Sequence, residues 1–264
     1  MRGSAIMRGY AVWTAVFGLI ATSAMAKQAP EQPTSPTAKT AVALAPTSPT
    51  VALDVATSPI TATDRVAEKW LTAMEERHRD HRRAKGEFTQ TKTDPVFLEE
   101  IKATGKFYYE RPNNFRCDYD KPDPSTNLVV GDRVTLYFPD FKQAERYRVG
   151  REGSGIGEVN QMLLGFGIDA AKVAEHFLVA NDRSTSADIV RLIFVPKAKR
   201  EERPFARFIL ELTKRDLTPT MFRIIGEESD ETVIKVTQIT WNAELPPDIF
   251  DLKLPRDVEI IEEQ

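Results

Sequence analysis

Two short segments rich in aromatic residues, 105–110 and 114–119, surround a Pro-Asn-Asn turn and constrain the fold more than any other part of the chain. Their alternating character predicts two β-strands joined by a tight turn. Because side chains at every second position of a strand share a face, Phe107, Tyr109 and Arg111 point to one side. If that side is buried, the Arg111 guanidinium lies at the rim of an apolar surface and needs hydrogen-bond acceptors there.

The chain after Gly86 is a succession of short strands rather than alternating strands and helices, which argues against a parallel sheet. We predict a mainly β (α+β) fold, in which one large, curled antiparallel sheet is partly covered by two helical segments, 64–83 and 159–177. Asp64 is the expected N-cap of the first helix. The predicted strands are 88–92, 101–110, 114–119, 127–130, 134–138, 143–149, 189–196, 206–213, 221–225, 232–242 and 248–254.

So many strands and so few helices leave apolar sheet surface to be covered. Either the sheet closes into a filled barrel or it encloses a cavity. Alternation along the strands places five apolar side chains on inner faces, and we predict that they line a cavity large enough for acyl chains. These residues are Phe107, Tyr109, Phe115, Leu136 and Phe138.

The segment 162–168 is almost entirely apolar but contains two glycines. Glycine is unfavourable inside a helix, so the segment suits a mobile cover over an apolar hollow. Core packing by a helix that ends at a glycine is the alternative. As a cover, this segment would add Leu163, Leu164 and Phe166 to the residues that contact a lipid.

The N-terminus carries the features of an export signal. Arg2 and Arg8 precede an apolar run, 10–23, and a small-x-small cleavage site follows at 24–26. We therefore predict a signal peptide over residues 1–26. If it is not cleaved, it would remain as an inner-membrane anchor. The residue directly after the cleavage site is Lys27 rather than a cysteine that could accept a lipid.

Composition divides the rest of the chain into two parts. Residues 27–63 are rich in Ala, Thr, Ser and Pro and contain no aromatic residue, which predicts a disordered linker. Residues 64–264 are long enough for one domain with a substantial core.

Charge and motifs exclude several functions. The net charge is −3 and no basic stripe is present, which argues against nucleic acid as a partner. His78 and His81 lack a third metal ligand and are expected at a solvated helix end. The single cysteine, Cys117, is expected to be packed rather than nucleophilic. With no nucleophile elbow, phosphate-binding loop or zinc motif, we predict no catalytic residue, no metal and no cofactor.

Several segments together resemble the LolA family of periplasmic lipoprotein carriers. They are residues 105–120, 131–138, Gln143 and 246–255, and the most specific motif is Arg-Pro-x-x-Phe at Arg111 and Phe115. The resemblance implies an unclosed, curled sheet, or half-barrel, with a helical lid over an apolar cavity. It also implies that Arg111 holds the lid closed by donating hydrogen bonds to backbone carbonyls of the lid. We expect these carbonyls to belong to residues 162–168. Phe115 would line the cavity. This chain departs from the family at Cys117, where an aromatic residue is common.

By the same resemblance, the protein would be a monomer in the periplasm that ferries lipoproteins from the inner to the outer membrane. Its implied partners are acylated lipoproteins or lipid, an inner-membrane release complex and an outer-membrane acceptor. Two alternatives stay open, which are a carrier of another envelope lipid and a regulatory module that senses lipid or lipoprotein. An exported hydrolase is disfavoured because the chain lacks a nucleophile motif.

Overall fold

A computed structural model describes residues 60–94, 99–120, 123–148, 169–183, 186–200, 203 and 205–262. Within these ranges lie two α-helices, α1 (Arg65–His78) and α2 (Ala170–His176), and one 3-10 helix, Pro139–Phe141. The first part of the predicted helix 159–177 and the predicted cover 162–168 lie outside the described residues. Phe177 was predicted to be helical, but it begins a strand.

Twelve strands account for most of the described residues. They are β1 (Arg83–Asp94), β2 (Glu99–Glu110), β3 (Asn114–Tyr119), β4 (Ser125–Val130), β5 (Arg133–Phe138), β6 (Gln143–Arg148), β7 (Phe177–Asp182), β8 (Ile189–Pro196), β9 (Arg207–Thr213), β10 (Pro219–Ile225), β11 (Glu231–Trp241) and β12 (Glu259–Glu262).

All twelve strands belong to one sheet with the order β12-β6-β5-β4-β3-β2-β1-β11-β10-β9-β8-β7. The sheet does not close, because β12 and β7 are its two ends. Every pairing is antiparallel except that of β12 with β6, which is parallel. The prediction of a mainly β, unclosed and curled antiparallel sheet is confirmed.

Helix α1 begins where the sequence predicted. The Asp64 carboxylate accepts a hydrogen bond from the backbone N–H of Val66 at 2.9 Å, which satisfies a donor that the helix leaves free at its start. Leu71 and Met74 are fully buried against the sheet. The predicted end at residue 83 is wrong. The helix ends at His78, because the chain must turn back before β1 pairs with β2.

The face of the sheet that α1 covers, called the inner face here, carries the main core. Within this core, aromatic rings on and next to strands β7 to β10 pack together, with neighbouring centroids 5.4–6.3 Å apart. Those rings belong to Phe177, Phe194, Phe205, Phe208 and Phe222. Offset and edge-on aromatic contacts of this kind stabilise a core beyond the area that they bury.

On strands β1 and β2, a phenylalanine ring of each strand lies over a glycine of the other. Gly86 is paired with Phe107, and Phe88 is paired with Gly105. A Cβ added to Gly86 would lie 2.6 Å from the Phe107 ring, and one added to Gly105 would lie 2.7 Å from the Phe88 ring. Each phenyl ring therefore occupies the space that a side chain on the opposite strand would need.

The C-terminal segment departs from the prediction. Residues 248–254 were expected to be a strand but form no ladder, and the structure places a strand at Glu259–Glu262 instead. Arg116, on the outer face of β3, donates from Nη1 to the carbonyl of Ile249 at 2.9 Å. The alternation of apolar residues in 248–254 reflects partial burial of a segment held by side chains, without strand pairing.

Both ends of the sheet are covered in part. The four-residue strand β12 lies along β6. At the other end, the carbonyl of Val179 in β7 accepts from the N–H of Asp64 at 2.9 Å, and its N–H donates to Thr63 Oγ1 at 3.3 Å. Thr63, the last residue of the predicted linker, therefore contacts β7.

Candidate functional site

The pairing register defines a row of apolar side chains across the inner face. Successive pairs run from β11 to β6, and neighbours in such pairs share a face of the sheet. The row consists of Trp241, Ala84, Tyr109, Phe115, Val129, Val134 and Tyr147. It forms a continuous apolar surface next to the β2–β3 turn, which carries Arg111.

The structure brings the five predicted lining residues onto one face. Phe107, Tyr109 and Phe115 are buried in the core under α1, with 3–8% of their surface exposed. Leu136 is fully buried in a smaller cluster with Val134 and Tyr147, and Phe138 packs against that cluster. Leu163, Leu164 and Phe166, the three predicted lid contacts, lie outside the described residues.

Arg111 binds the C-terminal end of α1. Its Nε donates to the carbonyl of His81 at 3.0 Å, and its Nη2 donates to the carbonyl of His78 at 3.1 Å. The last carbonyls of a helix have no partners within the helix, and a cation there also favours the helix dipole. Arg111 thus links the β2–β3 turn to the end of α1, and these two contacts are called the latch below; the partners predicted for Arg111 at 162–168 lie outside the described residues.

The two histidines near this latch form a junction that the sequence analysis did not predict. His78 was expected at a solvated helix end, but only 2% of its surface is exposed. Its Nε2 contacts the carbonyl of Leu217 at 2.9 Å, and its Nδ1 lies 2.9 Å from Nδ1 of His81. The His81 ring stacks on Trp241 with a centroid distance of 4.4 Å. This junction joins α1 to the β9–β10 turn and to the end of β11.

Burial sets the charge state of the junction. The pKa of His78 is lowered by desolvation, which outweighs the opposing effect of its hydrogen bond to the Leu217 carbonyl, and His81 and the positive charge of Arg77 lower it further. The pKa of His81 is also lowered, by desolvation and by Arg77 and Arg111. The neutral rings are therefore favoured, which suits a hydrogen bond between two Nδ1 atoms that needs a single proton.

Cys117 lies on the inner face between Phe115 and Tyr119 and is completely buried. Burial raises the pKa of its thiol well above the ordinary value, and the negative charge of Asp118 raises it further. The thiolate, which would be the reactive form, is therefore strongly disfavoured. The prediction that this cysteine is packed is confirmed.

The described ranges contain no group of three His, Cys, Asp or Glu side chains that could hold a metal ion. In the same ranges, no helix has both the length and the apolar character to cross a membrane.

Comparisons with known proteins agree with the motifs. The family model for "Outer membrane lipoprotein carrier protein LolA" matches residues 79–253, which include Arg111 and Phe115. An outer-membrane lipoprotein carrier protein of Nitrosomonas europaea is 28% identical over 175 residues, which cover 66% of this chain and 80% of that protein. The corresponding protein of Methylococcus capsulatus is 26% identical over 188 residues, covering 69% and 83%.

A solved structure shows a weaker likeness. The crystal structure of a LolA superfamily protein from Nitrosomonas europaea shares 11% identity with this chain at a TM-score of 0.39, and covers 70% of this chain and 97% of that one. The sequence match is the stronger finding, because it spans two thirds of the chain and contains the arginine and the phenylalanine of the motif. The chain belongs to the LolA family of lipoprotein carriers.

Proposed function

We propose that this protein is a periplasmic carrier that holds the acyl chains of lipoproteins against the inner face of its sheet and moves them from the inner to the outer membrane. The observation that carries the proposal is the apolar row from Trp241 to Tyr147, which ends beside an arginine latch. Acyl chains need a continuous apolar surface, and an unclosed sheet offers one without a narrow entrance.

The latch supplies a means of regulating access to that surface. Arg111 holds the end of α1 through two hydrogen bonds from a charged group, each worth about 1.5–3 kcal/mol in general. Interactions of that size bias a cover between two positions without fixing it. Acyl chains that enter beneath α1 would compete with these contacts, so cargo binding and latching oppose each other.

The proposal is one of reversible binding rather than chemistry. The buried Cys117 supports this proposal, since its thiol is held protonated inside the core. The lipoprotein cargo and its outer-membrane destination are proposed because the relatives are outer-membrane lipoprotein carrier proteins, and the inner membrane as the origin is proposed from the family resemblance. Export by residues 1–26 would place the domain in the compartment that such a carrier needs, and N-terminal sequencing of the purified protein would identify a cleaved signal.

Binding of an apolar fluorescent probe tests the proposal directly. Phe115→Glu should abolish binding, because it places a charge on the apolar row. Since Phe115 is buried, Phe138→Glu serves as a second variant at a partly buried position of the same face. Phe141→Glu is the matched control, because 62% of that side chain is exposed. Native mass spectrometry should also detect an acylated ligand that co-purifies with the wild-type protein.

Unchanged probe binding by folded Phe115→Glu and Phe138→Glu proteins would contradict an acyl site on the inner face. A co-purified ligand that is a free lipid rather than a lipoprotein would keep the site but change the cargo.

A further inference from the structure

Two kinds of contact attach the C-terminal end of α1 to the sheet. Arg111, in the β2–β3 turn, donates to the backbone carbonyls of His78 and His81. The side chains of the same two histidines contact other parts of the sheet. His78 Nε2 lies 2.9 Å from the Leu217 carbonyl, and the His81 ring stacks on Trp241. The position of these rings therefore determines where the two carbonyls that Arg111 binds are held.

The carbonyl that His78 binds lies in a turn held by several hydrogen bonds. Leu217 has a φ of 55°, in the left-handed region that residues other than glycine rarely adopt. Its N–H donates to the Thr213 carbonyl at 2.9 Å, and the Asp216 carboxylate accepts from the N–H of Thr218 at 3.2 Å. Such a conformation persists only where its surroundings determine it, so the Leu217 carbonyl is a fixed point of attachment for the helix end.

His78 is the proton-sensitive member of the pair. Its Nε2 donates to the Leu217 carbonyl, so in the neutral ring Nδ1 has no proton and accepts from Nδ1 of His81 at 2.9 Å. A proton added to His81 goes to Nε2 and leaves this hydrogen bond intact. A proton added to His78 goes to Nδ1, where it places two N–H groups opposite each other and breaks the contact.

Charged groups act on the pair from the elements packed against it. They are Arg77 of α1, Asp80 of the segment that follows α1, Arg111 of the β2–β3 turn and Asp216 of the β9–β10 turn. Trp241 of β11, which stacks on His81, is uncharged. Burial is the largest cause that lowers the pKa of His78, of which only 2% is exposed, and it outweighs the opposing hydrogen bond and the Asp216 carboxylate. Exposure of the helix end to water would remove that burial and make protonation easier.

We infer that the His78–His81 pair positions the carbonyls that Arg111 binds, and that acid releases the C-terminal end of α1 by protonating His78. A charged His78 loses its contact with His81 and is more stable in water, so its carbonyl moves away from the guanidinium. The release exposes the inner face beneath α1. This role rests on the proposed function, because it makes access to the proposed acyl surface depend on pH, but the opening itself is a property of the empty protein.

Cys117 can report this opening. It is the single cysteine of the chain and belongs to the same core cluster as Leu71 and Met74 of α1. A pyridyl disulfide reagent, which labels thiols in acid as well as at neutral pH, is added to the full exported protein without ligand between about pH 7.5 and about pH 5. Each rate is divided by that of the urea-unfolded protein at the same pH. This ratio should increase by about 10-fold or more towards acid, since opening that takes up one proton gains up to about 10-fold per pH unit.

Substitutions of the two rings separate their roles. His78→Gln keeps a donor for the Leu217 carbonyl but cannot be protonated, so its ratio should change by less than about 2-fold over the same range. His81→Asn keeps an N–H donor for His78, whereas His81→Leu, of similar size, does not. We expect His81→Leu to raise the ratio at neutral pH by about 3- to 10-fold, the effect of one lost hydrogen bond, and His81→Asn to stay close to the wild type. His176→Gln, in α2, is the control for removing a histidine elsewhere.

Equal pH profiles for the wild type and His78→Gln would overturn the inference, as would equal ratios for His81→Asn and His81→Leu at neutral pH. Release of one helix end exposes little surface, so labelling in acid should depend only weakly on urea below the unfolding transition. Labelling in acid that follows global unfolding would overturn the inference. An apolar dye that binds at no pH would instead contradict the proposed function, and it would leave the labelling results unchanged.

Discussion

The Nδ1 atoms of His78 and His81 lie 2.9 Å apart, so only one of them can carry a proton. The Leu217 carbonyl accepts from Nε2 of His78, which assigns that proton to His81 Nδ1 and makes His78 Nδ1 the acceptor. The carbonyls of both residues accept from Arg111. The latch and the histidine pair therefore form one unit at the end of α1.

This unit makes stability depend on pH. The folded-state pKa of His78 is lowered from 6.5 by burial, so the unfolded chain binds protons more readily as the pH falls below about 6.5. The free energy of unfolding should accordingly decrease between about pH 7 and pH 5. His78→Gln keeps a donor for the Leu217 carbonyl but cannot titrate. Its stability should change less over this range, as measured by urea unfolding at each pH.

His176→Gln is the control for that experiment, because His176 belongs to α2 and not to the latch. An identical pH dependence for the wild type and His78→Gln would contradict the prediction.

The second prediction concerns the stability that Arg111 provides. Arg111→Leu removes both donors from the end of α1 and should lower the free energy of unfolding by about 3 kcal/mol or more, since two hydrogen bonds from a charged group are lost. Arg111→Lys should be intermediate, because an ammonium group cannot reproduce the guanidinium fork. Hydrogen exchange should show faster exchange in α1 for Arg111→Leu. In contrast, Arg83→Leu removes an exposed ion pair with Glu110 and should cost less than about 1 kcal/mol.

The third prediction concerns cargo release. Without its latch, α1 competes less well with bound acyl chains, so Arg111→Leu should retain cargo and transfer it poorly. A transfer assay from loaded carrier to acceptor membranes measures this directly. Normal release by a folded Arg111→Leu protein would show that Arg111 has a structural role only.

Cys117 provides a fourth prediction. Because the thiol is fully buried and its pKa is raised, a thiol reagent should not label the native protein at pH 8. Labelling should appear with the unfolding transition in urea. Rapid labelling of the native protein would mean that the inner face under α1 opens readily, and added acyl ligand should then slow it.

The fifth prediction tests the packing of the Phe107 and Phe88 rings over the two glycines of β1 and β2. Gly86→Ala should destabilise the protein by about 2 kcal/mol or more, because the new methyl group would overlap the Phe107 ring and the Gln238 carbonyl. Lys85→Ala, one position away and exposed, should have little effect. Comparable stability of the two variants in urea would contradict the proposed packing.

Local signals predicted much of the sheet. The predicted bounds of β3 and β8 are the observed ones. Both strands show clear alternation and are bounded by turn residues, which are local features of the sequence. The turn between β4 and β5 lies in the gap between the predicted strands 127–130 and 134–138, and its Gly131 has the positive φ of 63° that such turns require. The Asp64 cap is another local feature that the sequence revealed.

Features that depend on distant contacts were missed. His78 lies among charged residues in the sequence, yet it is buried by Leu217, 139 residues away, and by Trp241. The segment 248–254 has the alternation of a strand, but Arg116 binds the Ile249 carbonyl from the outer face, and the segment pairs with none of the strands in the described part of the chain. Strand β7 was missed because an apolar run ending at Phe177 has the same appearance as the end of a helix.

The partial coverage of the two sheet ends affects how readily strands of other chains can pair with this sheet. An open sheet presents unpaired backbone groups and invites strands from other chains to join it. Here one end is occupied by a four-residue strand bounded by Glu259 and Glu262, and at the other end Thr63 and Asp64 occupy the backbone groups of Val179. A short, acidic edge strand at one end and occupied backbone groups at the other leave less edge for a foreign strand to pair with, which disfavours growth of the sheet into assemblies.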